Sequence, residues 1–206
     1  MATRAPVAPD VTTPVEHHTF RDLTAEEWVR LTAAGRIKIE AEAGEEVIAL
    51  FKASRGAPKT LFGINHYEHG LQSATRAFRA GEKEDVVVAA LLHDVFEWFN
   101  PYNHDRMAGD LLRYVLSDEL AWIVGNHGVF QLTFHTHSAF DTKAAEKFRG
   151  HPYFESAIRF CDAYDQNCFD PHYDNMPFDA FEPMVRRQFA DAMKRFHKKF
   201  PYPGVS

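Results

Sequence analysis

Apolar residues recur along most of the chain at the three- and four-residue spacing of amphipathic helices. Thr24-Ala25-Glu26-Glu27 reads as a capping box ahead of Trp28 and Leu31, and a second pattern over residues 39–53 carries Ala43, Val47, Leu50 and Phe51. Gly56-Ala57-Pro58 interrupts. A third helix is predicted over 66–80, with Leu71, Ala74, Ala77 and Phe78 on one face and Gly81 closing it. Residues 83–99 are apolar all round, which predicts a buried core helix stopped by Asn100-Pro101. Further helices are predicted over 105–116, 118–130, 142–148, 152–165 and 178–200, with Pro152 and Pro183 in first turns, where proline is tolerated. Only 130–134 alternates in the manner of a strand. Residues 1–22, which hold Pro6, Pro9 and Pro14, lack periodicity and are expected to form a flexible arm. The expected fold is all-α: a single domain over 23–206 behind that arm, with no internal repeat.

Composition narrows the function. The chain has 206 residues, 45% of them hydrophobic, enough for one core. Its net charge of −6, without a block of like charges, disfavours nucleic acid as a partner. The longest apolar run, 86–92, falls well short of the ~18 residues that span a bilayer, so no membrane partner is expected. The first ten residues lack the apolar stretch of a secretory leader, and the expected location is the cytoplasm. Cys161 and Cys168 form no disulfide framework and read as packing residues. The unusual count is 12 histidines beside 29 acidic residues, because imidazole is the commonest metal ligand.

The chemistry concentrates on the core helix. His93 and Asp94 are adjacent and ionisable where their neighbours must be buried, so each needs a hydrogen bond or a cation. Tyr67-Glu68-His69-Gly70-Leu71-Gln72, then Ala89-Ala90-Leu91-Leu92-His93-Asp94, then His104, His127 and a late aspartate resemble the HD superfamily of metal enzymes over roughly residues 64–166. That resemblance implies a helical bundle in which His69, His93, Asp94 and Asp165 ligate metal. It implies a second ion when His104 and His127 join them, with Asp94 bridging. Asp162, three residues before Asp165 on the same helical face, is the reserve ligand. Imidazole and carboxylate donors suit Fe, Mn, Co or Zn, and fewer protein ligands than coordination positions would leave room for substrate.

Two branches of that superfamily compete. His93-Asp94-Val95-Phe96-Glu97 is similar to the His-Asp-x-x-Glu pattern of HD phosphohydrolases, in which Glu97 would be the catalytic acid or base working with a metal-bound hydroxide. The histidine pair and the stretch His151-Pro152-Tyr153-Phe154-Glu155 ahead of Asp165 look more like the mixed-valent diiron HD oxygenases, which include inositol oxygenase and phosphonate-cleaving enzymes. Glu97 stands where those enzymes carry lysine or histidine, and Gln131 replaces a phosphonate-binding lysine, so a dianionic phosphonate is disfavoured. The expectation is an enzyme with two iron ions, Fe(II)/Fe(III), using dioxygen to oxidise or cleave a small hydroxylated substrate. The first alternative is a phosphohydrolase with Mn, Co or Zn, and the second a non-catalytic metal- or ligand-binding domain. Gln131, Tyr164, Gln166, Asn167 and Arg159 are the expected substrate contacts.

Overall fold

A computed structural model describes the chain from residue 10 to residue 199, and every regular element among those residues is helical. In chain order these are α1 (Ala25–Ala41), α2 (Glu45–Ala53), α3 (His66–Arg79), α4 (Glu84–Leu92), α5 (His104–Leu112), α6 (Asp118–Val124), α7 (His127–Gln131), α8 (Phe154–Tyr164) and α9 (Glu182–Lys199). Short 3₁₀ turns connect some of them. No described helix is long and apolar enough to cross a membrane.

The described residues fall into two compact units. The smaller comprises 10–43 with 193–199. Its helix α1 starts from the expected capping box, in which the Glu27 carboxylate accepts from the backbone of Thr24, Glu16 and His17. Arg30 Nε donates to the Asp10 carbonyl at 2.9 Å, so residues 10–17 lie along α1. Residues 1–9 of the expected arm lie outside the described residues.

The larger unit, Gly44–Ala192, contains all of 64–166. Six consecutive residues of α4, from Val87 to Leu92, are 1% exposed or less, which leaves that stretch no solvent face. Helix α3, capped by Asn65 with Glu68 at the third helical position, packs along α4 and α8. Helices α5 and α6 approach closely at two glycines: a Cβ on Gly109 would sit 2.5 Å from Gly125 Cα and 2.9 Å from the Ala121 carbonyl oxygen. Phe51, Phe130 and Phe181 fill the interior.

All the predicted helices but 142–148 form as α-helix, several of them shorter or broken. The 39–53 pattern is cut in two at Gly44, whose φ of 90° lies in the left-handed region. The core helix ends at Leu92 instead of Phe99, and 93–99 continues as turns, with Val95 N–H donating to Leu92 and Glu97 N–H to Asp94. The 118–130 helix breaks at Gly125-Asn126 into α6 and α7, and 142–148 holds only a 3₁₀ turn at Ala144–Phe148. The alternation over 130–134 is no strand; α7 runs directly into a 3₁₀ turn there. Residues 178–180 form a 3₁₀ turn before α9, with Pro183 in the first turn of that helix, and Phe200 lies outside the described residues.

Candidate metal centre

Six of the expected ligands meet in the larger unit. His69 comes from α3, His93 and Asp94 from the end of α4, His104 and His127 from the first turns of α5 and α7, and Asp165 from the cap of α8. All but His104 are buried, and the His104 side chain is 15% exposed. Asp165, not Asp162, turns inward: Asp165 is fully buried, whereas Asp162 is exposed and accepts from Gln166.

Asp94 divides the histidines into two pairs. Its Oδ2 lies 3.3 Å from His69 Nε2 and 3.4 Å from His93 Nε2, which are 3.1 Å from each other. Its Oδ1 lies 2.9 Å from His127 Nε2 and 3.3 Å from His104 Nε2, which are 3.3 Å apart. Asp165 Oδ1 completes the first group at 3.7 Å from both His69 and His93 Nε2. Donors at ~2.1 Å from one ion are spaced ~3.0–3.4 Å in octahedral or tetrahedral arrangement, so most of these separations match the edges of a coordination shell.

The hydrogen bonds behind the rings fix which nitrogen is free. His69 Nδ1 is 2.9 Å from the Cys168 carbonyl oxygen, His93 Nδ1 2.8 Å from that of Ala90, His104 Nδ1 3.0 Å from that of Pro101 and His127 Nδ1 2.7 Å from that of Val124. A carbonyl only accepts, so each Nδ1 carries a proton and each neutral ring turns an Nε2 lone pair toward the carboxylates. Lone pairs facing lone pairs are tolerated when a cation or an extra proton stands between them. Asp165 Oδ2 is buried with no hydrogen-bond partner, a further vacancy that a cation satisfies. The buried groups His69, His93, Asp165 and His93, Asp94, His127 can each hold a metal ion.

Without a cation, protons take its place. Burial opposes charge on His93, but Asp94 and Asp165 outweigh it and raise the imidazole to about 9. The same contest, won by the hydrogen bond and charge of Asp94, raises His104 to about 9. Burial would also raise Asp94, yet His93 and His127 hold it well below the usual carboxylate range. At about pH 7.5 the ion-free centre therefore holds two protons that ligation must expel. Saturation with a divalent cation is expected to release about two protons per chain, measured with a pH indicator in weak buffer, and none above about pH 10. Binding without proton release at the lower pH would contradict the proposed protonation.

A cavity of about 670 Å³ opens onto Asp94 and His69. Of the expected substrate contacts, Gln131, Gln166 and Asn167 line it, as does Glu97. Gln131 Nε2 donates to Asp165 Oδ1 at 2.9 Å, tying the cavity wall to a ligand. Tyr164 and Arg159 do not line it: Tyr164 donates its hydroxyl to Glu82 at 2.7 Å, and Arg159 is exposed beside Ser156. The cause is geometric. Asp165 has left the helix, with φ −135° and ψ −78°, so residues earlier in α8 face elsewhere. Arg76 lies over the Tyr173 ring and does not line the cavity.

The sequence reading missed His66, Leu61 and Phe62, all of which line the cavity, as does Phe169. His66 stands one helical turn before His69, a usable signal, and its Nδ1 is 2.9 Å from Glu97 Oε2. That contact, the main cause, raises His66 above its ordinary value. His135 also lines the cavity, stacked on Phe140 at 4.1 Å and outside both ligand clusters. Comparison with known families and curated proteins finds no matching family model and no matching sequence.

Proposed function

We propose that the protein is a dinuclear non-haem iron oxygenase of the HD type, using dioxygen to oxidise or cleave a small hydroxylated substrate. The two-sided position of Asp94, with one oxygen toward His69 and His93 and the other toward His104 and His127, supports a pair of ions. His69, His93 and Asp165 would hold one and His104 and His127 the other, with Asp94 shared. Iron there would supply Lewis acidity toward a substrate oxygen and one-electron reduction of dioxygen. The observation that favours this reading over phosphate chemistry is the cavity lining: no lysine or arginine occurs among the described residues that form it.

The chain's own groups divide the remaining work. Glu97, held by His66 at the cavity wall, would take the proton of a substrate hydroxyl. Phe169 stacks on His69 with ring centroids 4.5 Å apart and shields that ligand from water. In iron-replete protein, partial oxidation should give the EPR signal of a coupled Fe(II)/Fe(III) pair, with dioxygen uptake on adding small polyols. One Mn or Co per chain together with anaerobic phosphatase turnover would overturn the proposal.

Phosphohydrolysis is the second reading, carried by Glu97 at the cavity wall beside Asp94. Glu97→Ala should lower turnover by about 100-fold under either chemistry while metal content holds, because general acid–base catalysis contributes that order. Full activity in that variant would remove Glu97 from the mechanism. Turnover of phosphate esters without dioxygen separates the two readings.

A further inference from the structure

The cavity changes character from floor to mouth. Its floor is His69 and Asp94 with Glu97 and Gln131, and one wall is a run of rings: Phe62 lies tilted 4.8 Å from Phe169, which stacks 4.5 Å from His69. Phe134 lines the cavity as well. At the mouth, Leu61 is 108% exposed and Phe62 61% exposed, on a loop turned at Gly63, whose φ is 85°. Two adjacent large apolar side chains held in water at a pocket entrance leave unburied area that a ligand extending from the floor would cover. Among the described residues no lysine or arginine lines the wall to claim an anionic end.

From this arrangement we infer that the substrate is amphiphilic: an oxygen-bearing head at the metal centre and an uncharged apolar arm along Phe169, Phe62 and Leu61. The inference rests on the proposed metal chemistry for the position of the head, and on the run of rings alone for the arm. It distinguishes the ligand from a compact polyol, which would leave the rings and the lip exposed. Burial on rings and leucine rewards each methylene added to the arm until the chain passes Phe62.

Calorimetric titration of the metal-loaded protein with 1,2-diols from propane-1,2-diol to octane-1,2-diol tests this. Affinity is expected to rise about two- to fourfold per methylene, as partial to full burial of each CH₂ predicts. In Leu61→Ala/Phe62→Ala, two exposed positions, the ratio between the longest and shortest diols should collapse by about tenfold or more, while the melting temperature holds. Flat affinities, or no binding of any diol, would overturn the inference. A slope that survives the double substitution would also overturn it, because the arm would then lie elsewhere. Dioxygen uptake in the same samples is read separately: a chain-length slope without uptake removes the oxygenase reading and leaves the amphiphilic ligand standing.

Discussion

Under the proposed dinuclear reading, Asp94→Ala is expected to empty both ion sites, whereas His104→Ala or His127→Ala is expected to lower metal content from two ions per chain to one. The contrast follows from the geometry. Each carboxylate oxygen of Asp94 is within 3.4 Å of a different histidine pair, so its loss takes a donor and a negative charge from both. His104 and His127 face only Oδ1, and their loss spares the cluster completed by Asp165. Removing an outer-shell partner of a metal ligand costs ~10–100-fold in affinity, and removing a shared ligand should exceed that range. Elemental analysis of dialysed protein, with circular dichroism to establish that the helices persist, reads the result. An unchanged count in His104→Ala would take that residue out of the centre. Retained turnover in Asp94→Ala would dispose of the metal mechanism.

Gly109→Ala is expected to lower stability by about 2 kcal/mol and to loosen one ion before the other. Alanine gains ~1 kcal/mol over glycine inside a helix, but overpacking commonly costs ~1–3 kcal/mol and sometimes more. The obstruction here is main chain, Gly125 N at 2.7 Å and Gly125 Cα at 2.5 Å from the added carbon, so no side-chain rotation relieves it. Helices α5 and α6 must separate, and overpacking prevails. For a chain of this size the loss corresponds to about 4–8 °C in melting temperature. Since α5 begins with His104 and His127 follows Gly125 by two residues, the separation also disturbs their 3.3 Å approach. Loss of the ion held by that pair, ahead of the one near Asp165, is the expected signature in metal analysis. A higher melting temperature would show that the two helices do not meet at these glycines.

Of the candidate ligands, His93 and Asp94 were legible from burial alone, whereas His69, His104, His127 and Asp165 were drawn from the resemblance to the HD superfamily. His93 and Asp94 are ionisable residues directly after Val87–Leu92, a run given wholly to apolar packing, and His69 lies buried upstream on the preceding helix α3. The break after Leu92 was not legible, since it depends on His93 bonding to a backbone carbonyl, which hydrophobic periodicity does not encode. Tyr164 and Arg159 were misplaced because Asp165 leaves the helix at its cap, so the residues of α8 before it face elsewhere. Leu61 and Phe62 escaped because they come from a loop, 60–65, where side-chain direction has no period to follow, whereas Gln166 and Asn167, just after Asp165, were expected at the cavity.

Two of the carbonyls that receive ring protons belong to the final turns of helices, Ala90 in α4 and Val124 in α6, where main-chain acceptors otherwise go unanswered. His93 thus closes the end of α4 and His127, from the start of α7, closes the end of α6. Substitutions that retune the grip on an ion at these positions also unravel the scaffold's ends, so selection on one trait is felt by the other. Variation among descendants of this chain should therefore gather in the loops around the entrance, where ligand preference can drift without disturbing the foundations.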